Sequence, residues 1–305
     1  MKIVNNNYHP FVAPENYTPR HPGNLRQRNQ TAFTPTSEIE ALSTFYHSTH
    51  GPSWVVNEGW STLEGQANVT DPCGAPTWHG VTCVLGNDGF YHVVSIALRN
   101  NGMSGTLPSE SLAKLDYLEA LDLGNQRYVT LEQNQVHGPV PSSLPQSLVT
   151  LSLAYNNITS SIPSTLRLLT NLEVLDLDYN ALLSGSLPDV ICSFSAMKEM
   201  HFRGNSLDTT IPDCIGSCTD LEYLDITSVT SEGYVPGDTV VRGTLPESIC
   251  SLSKLTALDV QYTQSLVGTI PACLGAGQPH MTVVALMGNG KLSGSVPEVK
   301  LKFYF

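Results

Sequence analysis

The chain has 305 residues, a formal net charge of −12 at pH 7 and only 14% charged side chains. This acidic balance argues against nucleic acid and anionic membrane surfaces as partners, because both repel a negatively charged protein. No apolar run in the sequence is long enough to cross a bilayer, so no membrane span is expected in this chain.

The first 35 residues are rich in asparagine, proline, arginine and glutamine and show no apolar periodicity. This composition predicts a disordered or loosely docked arm over 1–35. The start of the arm lacks the apolar stretch that a secretory signal peptide needs, so no signal peptide is visible in this chain.

Residues 36–92 are expected to form a cap at the N-terminal end of the fold. An apolar face with helical spacing opens this region and is carried by Ile39, Leu42, Phe45 and Tyr46. The loop-rich stretch that follows holds every tryptophan of the chain, namely Trp54, Trp60 and Trp78. We expect these rings to cover an open apolar end of the following domain, because a stacked repeat structure needs such a lid.

One sequence line recurs eight times over 93–297. Its clearest copy, 172–188, reads Leu-x-x-Leu-x-Leu-x-x-Asn, followed by leucines, a glycine and Leu-Pro. The copies close at Pro108, Pro141, Pro163, Pro188, Pro212, Pro246, Pro271 and Pro297, which are 33, 22, 25, 24, 34, 25 and 26 residues apart. A period near 24 with two long intervals indicates a leucine-rich repeat solenoid.

Each copy contains an apolar-polar-apolar segment such as Leu175-Asp176-Leu177, whose alternation predicts a strand with one buried face. Stacked copies would pair into a parallel sheet and share one core. An asparagine three residues after the second apolar position is expected to bond the free backbone groups of the turn. These asparagines are Asn101, Asn156, Asn180, Asn205 and Asn289.

The two long intervals hold insertions at roughly 125–133 and 229–239, next to the turn where the asparagine normally sits. Insertions in repeat proteins often lie on the binding face, but they also arise as tolerated loop variation. Both interpretations stay open at the level of sequence.

The full line Leu-x-x-Leu-x-x-Leu-x-Leu-x-x-Asn-x-Leu-x-Gly-x-Ile-Pro resembles the plant-type leucine-rich repeat of receptor-kinase ectodomains and polygalacturonase-inhibiting proteins. The run from Trp78 to Cys83 resembles the end of the N-terminal cap in that class. The resemblance implies an α/β solenoid, shaped as a horseshoe or superhelix, with a parallel concave β-sheet and a cysteine-containing N-terminal cap. It also implies a second short strand outside the concave sheet, formed by the Gly-x-Ile-Pro part.

Six of the seven cysteines fall into pairs with interpretable spacing. One pair flanks the end of the cap, and two pairs follow the Leu-Pro or Ile-Pro of neighbouring copies at a similar offset, which suggests bridges between adjacent repeats. Cys218 is left over, as a buried free thiol or as a handle for another chain. The expected bridges are Cys73–Cys83, Cys192–Cys214 and Cys250–Cys273.

The sequence also carries acceptor motifs for N-linked glycans. Such Asn-x-Ser/Thr motifs begin at Asn16, Asn29, Asn68 and Asn157. Together with the cysteine pairs they favour an oxidising environment, so we expect an extracellular or cell-surface location.

The polar positions of each strand and the turn after it are expected to face solvent on the concave side. The centre of this face would be acidic and rich in tyrosine, a composition that suits peptide or glycan recognition. Aspartate within Leu-Asp-Leu is common in the class that the chain resembles, so part of the acidic stripe is expected without any ligand. The candidate ligand-binding residues are Tyr155, Asp176, Asp178, Tyr179, His201, Arg203, Asp225, Gln261 and Tyr262.

The sequence contains no nucleophile elbow, phosphate loop or Cys/His metal spacing, so no catalytic residue, metal or cofactor is expected. We therefore expect a non-catalytic extracellular recognition module for a protein, peptide or carbohydrate ligand. Two alternatives remain. One is a structural or adhesive protein that self-assembles through its C-terminal end, where the tail at 298–305 forms no recognisable cap. The other is an inhibitor of a glycosidase-type enzyme.

Overall fold

The computed structural model describes residues 32–65, 69–125, 134–187, 189–228, 238–274, 278–294 and 302–304. The predicted arm therefore lies almost wholly outside the described residues, as do most of the two insertions. The acceptor motifs at Asn16, Asn29 and Asn68 lie outside them as well.

Each repeat contributes one strand to a large inner sheet, in which only the first two strands pair antiparallel and all later pairs are parallel. The strands, in spatial order, are Val81–Leu85, Tyr91–Ala97, Ala120–Asp122, Thr150–Ser152, Val174–Asp176, Glu199–His201, Tyr223–Asp225, Ala257–Asp259, Val283–Ala285 and Lys302–Tyr304. Spatial order equals chain order, which confirms the predicted solenoid. We call each repeat a coil and number the coils from the strand Tyr91–Ala97. The predicted tail contributes the tenth strand.

A second sheet runs along the outside of the coils, as the resemblance implied. Its strands are Ser104–Thr106, Gln135–Pro139, Asn157–Ser160, Leu182–Gly185, Ser206–Thr210, Val240–Arg242, Gly268–Thr269 and Leu292–Ser293. All pairs are parallel, and a bridge between Gly243 and Leu266 links the first six strands to the last two. The two sheets enclose one continuous apolar core, because each coil buries its leucines between them.

Short helical segments lie in the N-terminal cap and, in several coils, between the outer strand and the next inner strand. The α-helices are Thr36–Ser48 and Ser109–Leu112, and the 3-10 helices are Gly51–Ser53, Trp60–Glu64, Ser164–Leu168, Asp189–Ser193, Asp213–Ser217 and Glu247–Ser251. Pro163, Pro212 and Pro246 directly precede three of the 3-10 helices with extended backbone. Proline fits there because it fixes its own φ and needs no hydrogen-bond acceptor for an N–H group. The closing prolines therefore set where each coil turns back toward the inner sheet.

The N-terminal cap closes the apolar end of the solenoid with aromatic rings, as predicted. The ring centroids of Trp60 lie 5.1 Å from Trp54 and 5.0 Å from Trp78, and all three side chains are buried. Each indole N–H donates a hydrogen bond: Trp54 to the Thr49 carbonyl, Trp60 to the His79 carbonyl and Trp78 to the Thr70 hydroxyl. The three tryptophans thus bury large apolar rings without leaving an indole N–H unpaired.

The asparagine ladder is formed largely as predicted. Asn180 donates from Nδ2 to the carbonyls of Leu153 and Leu177, at 3.1 and 3.0 Å, and its Oδ1 accepts the Ile158 N–H. In the second coil the ladder residue is Asn134, which sequence reading did not identify because it follows an insertion. Asn125 and Asn134 hydrogen-bond each other in both directions, so the coil closes across the inserted residues.

The three disulfides are those that the cysteine spacing indicates. Cys73 is bonded to Cys83, Cys192 to Cys214 and Cys250 to Cys273. The second and third bridges each join neighbouring coils beside the 3-10 helices, and Cys218 is a buried free thiol. The offset of the cysteines after each Leu-Pro or Ile-Pro is therefore a geometric signal, because it places both sulfurs at nearly the same point of successive coils.

Cys218 should resist alkylation in the native protein. Burial raises the pKa of its thiol to about 11, and its Sγ donates to the Ile191 carbonyl at 3.4 Å. Reaction with iodoacetamide needs an accessible thiolate, so we expect no label in buffer at pH 8 and one label per chain after denaturation without reductant. Mass spectrometry reads the count. Two or more labels in the unreduced, denatured chain would contradict the disulfide assignment.

Candidate functional site

The last residues of the inner strands, which are the middle residues of the repeated three-residue segments, form one row across the sheet. Strand pairing sets Asp122, Ser152, Asp176, His201, Asp225, Asp259 and Ala285 on successive neighbouring strands. The sheet therefore brings three of the predicted residues, Asp176, His201 and Asp225, side by side. A second row, two residues beyond the end of each strand, contains Asp178, Arg203 and Gln261.

Several aspartates of the first row have a structural role. Asp122, Asp176 and Asp225 each accept a hydrogen bond from the backbone N–H two residues further on, at 3.3, 3.2 and 2.8 Å. This local bond satisfies a backbone group as the strand ends. It gives a physical reason for aspartate in Leu-Asp-Leu that requires no ligand.

The expectation that these carboxylates face solvent is wrong. Asp178 is 1% exposed, Asp225 is 0% exposed and Asp176 is 6% exposed. Neighbouring strands are only about 4.8 Å apart, so a side chain on this face can bond sideways to the next coil. Asp178 does so, since its Oδ1 accepts the Arg203 N–H at 2.6 Å. The aspartates of the acidic stripe are thus buried side chains that pack against the neighbouring coils.

Three tyrosines adopt a left-handed backbone at the same position of the repeat. Tyr155, Tyr179 and Tyr262 have φ of 54°, 53° and 56°, whereas coils five and eight place Gly204 and Gly288 there with φ of 69° and 74°. The turn takes this conformation in the coils that carry no insertion, and it costs a residue with a Cβ roughly 1–2 kcal/mol. Three coils have a tyrosine at this position, although a glycine would adopt the same backbone conformation with less strain.

The tyrosine column is split into two parts. The rings of Tyr155 and Tyr179 stack with centroids 4.3 Å apart and planes 14° from parallel, and both residues are half-buried. Tyr262 lies three strands beyond Tyr179, about 14 Å away at the spacing of parallel strands, and its ring packs against Gly288. Gly204 and Ser228 hold the equivalent positions between them. The predicted column exists, but only Tyr155 and Tyr179 form a continuous aromatic surface.

Arg203 connects the tyrosine pair to the acidic row. Its Nε donates to the Tyr179 hydroxyl at 2.8 Å, and its Nη1 lies 3.9 Å from Asp225 Oδ2. Burial lowers the pKa of the guanidinium, but the charge of Asp225 and the contact with Tyr179 raise it overall. Arg203 therefore stays charged and holds the Tyr179 ring in place from the next coil.

Two residues of this face were missed at the level of sequence. Tyr223 and Glu199 each precede a middle residue by two positions, so strand alternation puts them on the same face. The His201 ring stacks on Tyr223 with centroids 4.9 Å apart, and His201 Nε2 lies 3.1 Å from Glu199 Oε2. Tyr223 also donates to Asp259 at 3.1 Å. The alternation of buried and outward-facing residues, followed two positions toward the start of each strand, would have identified both.

The predicted residue Gln261 belongs to the same layer near Tyr262. Its Nε2 donates to Asp259 Oδ1 at 3.1 Å, and its side chain is buried. Burial and the charge of Asp225 raise the pKa of Asp259 to about 6. The Asp259 carboxylate thus accepts hydrogen bonds from Tyr223 on the sixth coil and from Gln261 on its own, seventh coil.

The stability that protonated His201 gives the fold should be lost as pH rises from about 6.5 to about 9. Burial lowers the pKa of His201, but the hydrogen bond to Glu199 and the charges of Asp176 and Asp178 outweigh it and raise the pKa to about 9. A pKa above the unfolded value of about 6.5 gives stability that is complete below pH 6.5 and lost as pH passes 9.

Urea unfolding at pH 6.5 and pH 9 measures this effect. We expect the urea concentration at the unfolding midpoint of the wild-type chain to be lower at pH 9 than at pH 6.5. We expect His201→Gln to remove most of this difference. His137→Gln, at an exposed position of the outer sheet, is the matched control. An unchanged pH dependence in His201→Gln would show that His201 is not charged in the fold.

Among the remaining predicted sites, the Asn157 side chain is exposed at the start of an outer strand. Glycosylation there remains a prediction. Within the described ranges, one cluster has metal-ligand geometry, Glu247 with Cys250 and Cys273, but the two sulfurs are bonded to each other. No helix in the described part of the chain is long and apolar enough to cross a membrane.

Known proteins resemble this chain in sequence and in fold. The Leucine Rich Repeat family profile matches residues 147–169 and 171–194. Receptor-like protein 35 of Arabidopsis thaliana is 31% identical over 182 residues, which are 59% of this chain and 17% of that protein. Protein STRUBBELIG-RECEPTOR FAMILY 1 of the same plant is 31% identical over 144 residues, 47% of this chain and 16% of that protein. The chain thus spans less than a fifth of either relative.

The solved structure of the plant peptide hormone receptor RGFR1 in complex with RGF2 has the same fold. Its TM-score is 0.57 at 26% identity, over 72% of this chain and 34% of that chain. The repeat line, the two parallel sheets and these relatives together show that the chain has the leucine-rich repeat fold and resembles plant-type leucine-rich repeat proteins.

Proposed function

We propose that the chain is a non-catalytic extracellular recognition module that binds a peptide segment on its inner sheet. The observation that carries this proposal is the stacked pair of Tyr155 and Tyr179, held in a strained backbone and tied to Arg203. Strain at a bulky residue supports a functional interpretation when the surrounding structure maintains it. Rigid aromatic rings with hydrogen-bonding tips are frequent anchors in binding sites.

The charge of this face favours a basic ligand. The buried layer contains more carboxyl groups than cations, since Asp122 is paired with Arg99 while the other aspartates share His201 and Arg203. Glu199 adds a half-exposed carboxylate beside His201. An acidic surface steers and holds ligands of opposite charge, so lysine or arginine side chains suit this face.

The relatives support a peptide over a glycan. RGFR1 is a plant peptide hormone receptor, and its structure, which shares this fold, is a complex with RGF2. Phytosulfokine receptor 1 of Arabidopsis thaliana is 33% identical over 113 residues, 36% of this chain and 10% of that protein. The extracellular location that we propose agrees with the three disulfides, which persist in oxidising compartments.

An array of synthetic peptides tests the proposal. Twelve-residue peptides with two or more arginines or lysines, matched acidic peptides and a panel of plant and algal glycans are presented to the purified chain. We expect binding to basic peptides that weakens as salt is raised from 50 to 500 mM, because exposed charges are screened. Binding to glycans without binding to any peptide would overturn the proposal.

A further inference from the structure

Coils six and seven bring oxygen-bearing side chains together on the inner sheet, beyond the tyrosine pair. Asp225 and Asp259 are partners in register on neighbouring strands. No other two neighbouring strands in the described part of the sheet both end in a carboxylate. Two residues further on, Thr227 lies beside Gln261, because the Ser228 N–H donates to the Gln261 carbonyl at 3.0 Å. The same two coils therefore supply two carboxylates, an amide and two hydroxyl groups.

Four oxygen atoms of this group are buried without a hydrogen-bond partner. They are Asp225 Oδ2, Thr227 Oγ1, Ser228 Oγ and Gln261 Oε1. The exposed fraction is 0% for Asp225 and Thr227, 1% for Ser228 and 5% for Gln261. A buried polar atom without a partner destabilises the fold, because it has lost water and gained no other contact. Four such atoms on adjacent coils therefore indicate that a further group completes this part of the fold.

The contacts of these side chains place their oxygens around the Asp225–Asp259 pair. Gln261 Nε2 donates to Asp259 Oδ1 at 3.1 Å, which holds the amide oxygen of Gln261 beside that carboxylate. Burial raises the pKa of Asp225, whereas the charge of Arg203 and the nearby Thr227 hydroxyl lower it. This hydroxyl thus lies next to the Asp225 carboxylate, although Oγ1 lacks the geometry of a hydrogen bond. Neighbouring strands are about 4.8 Å apart, about twice the ~2.3–2.6 Å between a calcium ion and an oxygen ligand. Carboxylates on adjacent strands can therefore bind one such ion between them.

The buried layer on coils four to seven has an excess of negative charge. It contains four aspartates but only two cations, His201 and Arg203. Arg203 Nη1 approaches Asp225 Oδ2 only to 3.9 Å, and it lies on the fifth coil, on the side away from Asp259. The two neighbouring carboxylates of coils six and seven therefore repel each other with no cation between them. A divalent ion at this point would offset both charges.

The kinds of ligand atom indicate which ion fits. Calcium binds about 6–8 oxygens from carboxylates, amide carbonyls and waters in a flexible geometry, whereas magnesium demands near-ideal octahedral coordination. Zinc favours sulfur and imidazole nitrogen. The cluster at Glu247 differs from this group because its two sulfurs are bonded to each other. The ligand atoms on coils six and seven are all oxygens, and most of those without a partner belong to uncharged side chains.

We propose that coils six and seven bind a calcium ion through the oxygens of Asp225, Thr227, Asp259 and Gln261, with the Ser228 hydroxyl beside them. The ion lies between two strands of the inner sheet and joins the sixth coil to the seventh. The site does not require that the inner sheet binds a peptide, so it stands or falls independently of the proposed recognition function.

Titration of calcium chloride into the whole chain, first stripped with a chelator, tests the proposal. Isothermal calorimetry should give one ion per chain, with a Kd of about 10⁻⁴–10⁻³ M as in extracellular calcium modules. The melting temperature should rise with calcium concentration, because the ion binds the folded chain and not the unfolded one.

Variants of the ligands locate the ion. Asp225→Asn and Asp259→Asn keep the size of each side chain and remove a charged ligand, so each should weaken calcium binding at least tenfold. Thr227→Val keeps the shape and removes only a hydroxyl, so it should fold and bind calcium severalfold more weakly. Asp122→Asn is the matched control, because Asp122 belongs to the same row on coil two and is paired with Arg99. It should bind calcium like the wild-type chain.

Two results would overturn the calcium site. One is a wild-type chain that gives neither binding heat nor a shift in melting temperature at calcium concentrations well above the expected Kd, which would leave water as the partner of these oxygens. The other is wild-type affinity in Asp225→Asn, Asp259→Asn and Thr227→Val, or an equal response to magnesium at the same ionic strength. That result would assign the effect to the negative charge of the whole surface.

Discussion

Leu175→Ala should lower the free energy of unfolding by about 2–5 kcal/mol, because it leaves a cavity in a core that cannot fully collapse. Leu175 is 0% exposed, and its strand neighbours in register are Leu151 and Met200. Its loss therefore affects three successive coils. In a solenoid each coil is stabilised mainly by its neighbours, so a defect in the middle weakens both halves.

Leu182→Ala is the matched control for this prediction. Leu182 belongs to the same coil but lies on the outer sheet, where it is 53% exposed. A surface leucine of this kind should change stability by no more than about 0.5 kcal/mol. Urea unfolding followed by circular dichroism measures both variants. Equal shifts in the unfolding midpoint would mean that the buried and exposed faces of this coil are assigned the wrong way round.

The core of the fold is readable from sequence because it depends on local alternation and period. Leu175 and Leu177 are both fully buried, as their spacing in Leu-Asp-Leu requires. The bridge from Cys192 to Cys214 follows from the same periodicity, since equal positions in neighbouring coils are close in space. Each of these inferences needs only the repeat and the direction of each side chain.

The chemistry of the inner face was harder to read, because it depends on contacts between coils. Alternation gives the correct face for Asp178, but not its burial against the backbone N–H of Arg203. The sequence of one coil does not indicate the left-handed turn at Tyr179. The signal is the glycine that other coils have at the equivalent position. Asn134 was missed because an insertion displaces it from the repeat numbering.

Packing of the acidic layer changes which groups a ligand can reach. Asp176, Asp178 and Asp225 are buried, and burial raises the pKa of each carboxyl group. In the binding mode that we propose, their main contribution is the field they create and the position they impose on Arg203. In that binding mode we expect direct contact with the half-buried rings of Tyr155 and Tyr179 and with Glu199.

Tyr179→Ala should weaken binding of a basic peptide at least tenfold while the fold survives. The substitution removes a ring that stacks on Tyr155 and whose hydroxyl accepts from Arg203. Aromatic anchors at the centre of an interface contribute about 2 kcal/mol or more, and tenfold corresponds to about 1.4 kcal/mol. Biolayer interferometry with the best peptide from the array measures the change, and thermal unfolding checks that the variant is folded.

Two further variants decide whether the ring or the hydroxyl matters. Tyr179→Phe keeps the stacked ring but removes the acceptor of the Arg203 bond, so a loss similar to that of Tyr179→Ala would assign the effect to the position of Arg203. Ser164→Ala, on an exposed 3-10 helix away from the inner sheet, should leave binding unchanged. If a peptide still binds with wild-type affinity after Tyr155, Tyr179 and Tyr262 are all replaced by alanine, the inner-sheet tyrosines are not the site. The inserted segments at 125–133 and 229–239 would then be the next positions to vary.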